Sequence, residues 1–355
     1  MTILAPILVI AVLIFVHELG HFMAARWQGI HVNKFSIGFG PVLWKYQGEM
    51  TEYAVRAIPL GGFVGFPDKD EDSDIPDDDP DLLKNRSIGD RAIVFSAGVA
   101  ANLIFAYLVL LVMVISVGVG TVDKPGVRVI DLISNDSPAA IAGLQADDVI
   151  TAANGETFGT DLATLERFQK IISSHGDRVV DLKVQRNGEN LDLPIVPSGE
   201  PNKGRIGIRL DYTSDPHRRP VQNIWEAIGM AAQKFERLCL MTVQGLQKLV
   251  TNFSDHADQV AGPVAIVAMG SQLAKSDFAS LFDFTAIISI NLAVINILPL
   301  PALDGGQLLF LLIEALRFGK PLPERFQEYV MQGGLVVLLG LGVFMIFRDS
   351  INLLQ

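Results

Sequence analysis

Thiols are nearly absent from this chain of 355 residues. One cysteine, Cys239, excludes an intrachain disulfide framework and any site built on paired thiolates, so a metal here needs histidine and carboxylate ligands. Charge is scarce too. Only 19% of residues are charged, and 28 basic against 39 acidic residues give a formal net charge of −11, which argues against a basic nucleic-acid footprint. What fills the sequence instead is apolar, 50% of it, and a mean hydropathy of +0.36 points to a bilayer rather than to two ordinary soluble domains.

The negative charge is local. Asp68 to Asp81 holds nine carboxylates and one lysine, net −8, leaving −3 for the rest, and this run reads as a solvated linker.

Four stretches are long enough to cross a hydrocarbon core, which takes about 20 apolar residues. The first runs from about Ile3 to Ala25, broken only by His17, Glu18 and His21; the second lies between Arg91 and Asp123. The third extends from Asp283 to Asp304 and the fourth from Glu328 to Arg348. A shorter uncharged stretch between Asp258 and Lys275, with Gly262-Pro263 near its start, reads as a membrane-associated loop or interfacial helix. No basic residue precedes the first run and a polar cluster ends it, so it reads as a retained span rather than a cleaved signal peptide. Lys84, Arg86 and Arg91 before span two, and Arg317, Lys320 and Arg325 between spans three and four, predict cytoplasmic loops. The segment from Asp123 to about Phe282 is then expected on the far side, together with both termini.

His17-Glu18-Leu19-Gly20-His21 is an HExxH pattern. On a helix, residues four apart lie on one face, so both imidazoles can reach one zinc ion while Glu18 holds a water beside it. Ionisable groups inside a span are costly and mark a functional cavity. The bland alternative is a pair of buried histidines satisfied by hydrogen bonds. A catalytic zinc site needs a third protein ligand. His31, His175, His217 and His256 lie outside the spans, which leaves Asp304, at the end of the third apolar run within NILPLPALDGG (296–306). Pro299 and Pro301 interrupt the helix and Gly305-Gly306 allow close backbone approach, so a break is expected in the middle of the long apolar stretch from Leu281 to Phe318. Two neutral histidines, two carboxylates and a divalent cation sum to zero charge. The ligand role is favoured over the bland alternative, an N-cap on the helix that follows, and Asp304 could serve as both.

These residues resemble a family. HELGH in the first span, NxLPLP followed by LDGG in a later one, PLGGFVGF at Pro59 to Phe66, GFGP at Gly38 to Pro41 and a Gly-Pro-Val element at Gly262 look like a site-2 protease, an intramembrane zinc metalloprotease. The resemblance implies zinc on His17, His21 and Asp304, with Glu18 as catalytic acid and base. It implies transmembrane protein substrates, such as an anti-sigma factor already trimmed by a site-1 protease or a remnant signal peptide. It also implies a multi-pass protein of a bacterial inner membrane with its PDZ domain on the periplasmic side, or alternatively of a thylakoid or chloroplast membrane. An enterobacterial relative carries two PDZ domains; this chain has room for one.

Val127 to about Pro197 has the texture of that domain. Residues 137–150, SPAAIAGLQADDVI, resemble the bacterial PDZ signature, Asn154-Gly155 signals a tight turn, and Asp161 to Ser174 reads as one amphipathic helix. Peptide capture by strand addition and a purely steric role stand level. Val32 to Phe66 alternates apolar and polar residues around glycines, which predicts a small antiparallel sheet; in the family this is a re-entrant β-loop. Gly61 and Gly62 in it, with Asn291 and Asn296 in the third span, are candidate contacts to substrate backbone. The two asparagines serve equally well as interhelical glue. Gln222 to Thr251 has helical apolar spacing, as a gate on the membrane face or a plain connector.

The expected architecture is a polytopic α-helical membrane protein, with about four transmembrane helices, a re-entrant β-loop and one α+β PDZ domain. Its parts are a first span with HExxH (1–28), the β-loop (29–67), an acidic cytoplasmic linker (68–90), span two (91–122), the PDZ domain (123–200), amphipathic helices and loop (201–280), span three with LDGG (281–318), and a cytoplasmic loop with span four (319–355). The expected function is zinc-dependent hydrolysis of peptide bonds inside the membrane. A membrane scaffold using only its PDZ domain is the competing reading; partners are membrane proteins and lipid, with no nucleic acid.

Overall fold

The computed structural model describes residues 4–69, 75–134, 136–200, 202–214, 217–251, 260–276 and 278–354. The middle of the acidic run, 70–74, and the Asp258 end of the short uncharged stretch lie outside them. The chain divides into two compact units, Met1–Met113 with Trp225–Gln355, and Val114–Ile224.

In the first unit, helix α1 (Leu4–Trp27) carries the HExxH pattern and α2 (Ile88–Val117) is uncharged after Arg91. Between them, β1 (Lys34–Gln47) and β2 (Glu52–Gly65) form a folded hairpin. Its tip pairs Lys45 with Ala54 and Gln47 with Glu52 in antiparallel sense. The strands then fold over, so that Lys34 to Ile37 pairs in parallel with Glu52 to Val55 and, on its other side, antiparallel with Gly62 to Gly65. The antiparallel sheet expected from the alternation is therefore mixed, with one parallel pair at its centre. An alternating pattern defines which side chains share a face but not which strand halves meet.

The long apolar stretch breaks where its prolines predict. One helix, Phe278–Asn296, ends before Pro299, and another starts at Asp304 and runs to Leu316. Ala302, between them, takes a left-handed φ of 67°. The stretch from Pro263 to Ser276 is a helix packed against α1 and against Phe278–Asn296. Numbered in chain order after two short helices of the second unit, α3 (Pro138–Ile141) and α4 (Thr164–Ser174), these are α5 (Ile224–Thr251), α6 (Pro263–Ser276), α7 (Phe278–Asn296), α8 (Asp304–Leu316) and α9 (Glu324–Leu354). Among the described residues, four stretches are long and apolar enough to cross a membrane, Leu4–Trp27, Ile88–Val117, Ala279–Asn296 and Glu324–Ile351.

The second unit is a PDZ-like α+β domain. Its sheet runs in the order β8-β7-β5-β4-β9, from β4 (Val127–Leu132), β5 (Val149–Ala153), β7 (Val180–Arg186), β8 (Glu189–Ile195) and β9 (Ile208–Tyr212), with β6 (Glu156–Thr157) paired to β5. Asn154 and Gly155, at φ 47° and 81°, make the tight β5–β6 turn. Phe168 and Ile172 of α4 bury against the sheet. The fully buried Asp148 is held by Arg186 at 2.7 Å to each carboxylate oxygen. The sheet takes in β9, beyond the expected end near residue 200. A separate pair joins β3 (Val119–Thr121) to β10 (His217–Arg219).

Candidate metal centre

Antiparallel packing of α1 on α2 builds the floor of the site. Val94, Gly98 and Asn102 recur every four residues along α2, so they form one stripe, and it faces His21 and His17. Small residues make the approach possible. A Cβ added to Gly20 would lie 2.5 Å from the Ala97 carbonyl oxygen, and one added to Gly98 would lie 2.3 Å from His21 Nε2 and 2.7 Å from His17 Cε1.

Both imidazoles turn Nε2 toward Asp304. His17 Nε2 lies 3.2 Å and His21 Nε2 3.4 Å from Asp304 Oδ2, and the two Nε2 atoms are 3.3 Å apart. His21 Nδ1 bonds to the Val94 carbonyl oxygen at 2.7 Å, and His17 Nδ1 lies 3.1 Å from Asn102 Nδ2. Asp304 is the first residue of α8. The cap position belongs to Leu303, with no side-chain cap bond, so Asp304 is not the N-cap that its place after a proline turn allowed. Its buried Oδ2 has no hydrogen-bond partner among the described residues. Two nitrogen lone pairs and an orphaned carboxylate oxygen, all within 4.8 Å of one another, are the donor set that zinc takes, and the residues fit the ion.

The site opens into a cavity of about 630 Å³ lined by Glu18, Asn296, Asp304, Gln307 and the strand from Gly61 to Phe66. Gly62 has no room for a side chain, since a Cβ there would lie 2.8 Å from Glu18 Cγ. Asn296 Nδ2 reaches His17 Nε2 at 3.2 Å. Of the candidate substrate contacts, Gly61, Gly62 and Asn296 therefore gather at the cavity, and Asn291 does not. It accepts a hydrogen bond from Thr242 Oγ1 of α5 at 2.8 Å and lines a separate groove between α5 and α7. Gly305 and Gly306 lie against the Ile297, Leu298 and Leu300 carbonyls, as their motif predicts.

Gly98, Asn102 and the ion pair of Arg91 with Glu314, at 2.5 and 3.1 Å, join the site without standing out in the sequence. The signal for the first two was the small-residue spacing of Ala97, Gly98, Ala101 and Asn102. A second His and Asp cluster, His31, Asp79 and Asp81, is an ion-pair junction: Arg86 holds Asp81 at 2.5 Å.

Compared with known proteins, the chain matches Peptidase family M50 over residues 5–341. A protein of Nostoc sp. bearing a zinc-metalloprotease name is 58% identical over 99% of this chain and 97% of its own length. The chloroplastic membrane metalloprotease ARASP of Arabidopsis thaliana is 43% identical over 99% of this chain and 79% of its own. The regulator of sigma-E protease RseP of Escherichia coli is 29% identical over 95% and 96%. Among solved structures, the PDZ domain of an SdrC-like protein from Listeria monocytogenes is 27% identical and covers 25% of this chain and 90% of that one, with a TM-score of 0.21.

Proposed function

The chain belongs to Peptidase family M50, the site-2 proteases, and on that premise we propose that His17, His21 and Asp304 hold its zinc while Glu18 serves as catalytic acid and base. The protein is an integral membrane, zinc-dependent endopeptidase acting on membrane proteins within the bilayer. The observation that carries the residue assignment is the buried, unbonded Asp304 Oδ2 beside two inward-facing Nε2 atoms.

Bound zinc supplies Lewis acidity and lowers the pKa of water to about 7. The chain's own residues do the rest. Glu18 takes the proton of the attacking water and returns it to the leaving amine. A peptide bond inside an intact helix has its carbonyl engaged, so the substrate must unwind. The outer edge of Gly62 to Gly65 borders the cavity and pairs with the extended backbone, while Gly61 and Gly62 let Phe39 and Glu18 pack against the strand. Asn296 donates its amide to the scissile carbonyl oxygen. Asn291 acts as interhelical glue between α5 and α7.

The lysines and arginines at 84–91 and 317–325 support a reading in which those loops are cytoplasmic and the PDZ-like unit is on the periplasmic face of a bacterial membrane or the equivalent face of a thylakoid. There it meets substrates already shortened by a site-1 protease. Replacing Glu18 with Gln is expected to leave zinc stoichiometry intact and abolish cleavage of a model transmembrane substrate in detergent; cleavage that persists overturns the assignment of Glu18.

A further inference from the structure

We propose that Asn102 is the positioning residue that holds His17 in the tautomer and orientation that bind zinc, an inference resting on the assignment of His17 as a ligand. A histidine that offers the Nε2 lone pair to a metal carries its proton on Nδ1, and that N–H needs an acceptor. His21 has one in the Val94 carbonyl oxygen. His17 Nδ1 faces the Asn102 amide, 3.1 Å away.

Asn102 is fully buried, and its Oδ1 has no hydrogen-bond partner among the described residues. A carboxamide carries a donor and an acceptor of almost equal size, and a half-turn of its last torsion exchanges them. That half-turn sets Oδ1 on His17 Nδ1–H, so one bond satisfies the orphaned oxygen and locks the ring with Nε2 toward Asp304. The backbone around Asn102 is fixed independently, because Ser289 Oγ of α7 donates to the Asn102 main-chain carbonyl at 2.8 Å. That bond survives replacement of the side chain. The amide thus bridges α2 to α1 at the ring nitrogen of a proposed metal ligand, so its loss would be felt at the metal and not only in helix packing.

The test is zinc affinity of the purified full-length chain in detergent, by competition with a chromogenic chelator. Asn102→Leu, close in volume but with no acceptor, is expected to weaken zinc binding about 10- to 100-fold. Asn102→Asp, which still accepts from Nδ1–H, is expected to bind at least as tightly as the parent chain. Cobalt substituted for zinc reads geometry directly, and its ligand-field absorption should change in the Leu variant and persist in the Asp variant. Parent-like affinity in Asn102→Leu, or equal losses in the Leu and Asp variants, overturns the proposal. Should the Leu variant fail to fold, Asn102→Ala takes its place under the same criteria. His17→Ala separates the two levels: zinc retained there sinks the ligand assignment itself, whereas zinc lost there but kept in Asn102→Leu sinks only the role of Asn102.

Discussion

A methyl group is the smallest change that can be made at Gly98, and there is no space for it. A Cβ 2.3 Å from His21 Nε2 and 2.7 Å from His17 Cε1 overlaps both rings, at His21 on the atom that turns toward Asp304. Gly98→Ala is therefore expected to displace the imidazoles and weaken zinc binding by at least about tenfold, measured by metal content after dialysis, with the helices still formed. Parent-like zinc content would show that the rings have slack elsewhere. Gly98 also marks the boundary of what is legible at this scale. His17, Glu18 and His21 stand out because ionisable groups in an apolar run need a reason, and Asp304 because a carboxylate after two prolines cannot sit in plain lipid. Gly98 and Asn102 break no such rule. A glycine and a neutral amide among small residues are ordinary in a membrane helix, and only the facing rings on α1 give them a purpose.

Between elements, the ion pair of Arg91 and Glu314 ties the first turn of α2 to the last turns of α8. Both side chains are largely buried, at 15% and 9% exposure, and the guanidinium meets the carboxylate through two nitrogens. Arg91 lies one turn before Val94, whose carbonyl orients His21, and α8 begins with Asp304, so the pair joins the helices carrying two parts of the site. Removing one partner strands the other. Arg91→Leu or Glu314→Leu alone is expected to cost about 3–5 kcal/mol, whereas the double replacement recovers most of it, as read from detergent unfolding midpoints. Additive losses would mean that the pair is not coupled. The break at 297–303 is legible because proline leaves a chemical signature, a missing donor. The β-hairpin is legible only in part: alternation identifies strands between Lys34 and Gly65, yet its parallel centre depends on the hairpin folding across itself, a non-local choice. Asn291 illustrates the same limit, since its partner Thr242 is 49 positions away on α5.

At the scale of the whole chain, the distribution of basic residues predicts topology, and the single cysteine makes it easy to test. In a Cys239→Ser background, Lys320→Cys is expected to react with a membrane-impermeant maleimide from the cytoplasmic face and Glu189→Cys, at the β7–β8 hairpin, from the opposite one. Labelling of both from one side would reverse or abolish the assigned orientation. The acidic total of −11 sharpens in the same way: most of it belongs to Asp68 to Asp81, and the spans are nearly free of charge. Family membership extends along almost the entire chain, residues 5–341. The site itself joins distant stretches, for Asn296 stands 279 positions after His17 and Asp304 follows it. On the proposed ligand set, the first span leaves the ribosome with two imidazoles and a glutamate but no third donor. The set is completed only when Asp304, 283 positions after His21, has been made and inserted, so a chain halted before it would carry no finished peptidase into the translocation machinery.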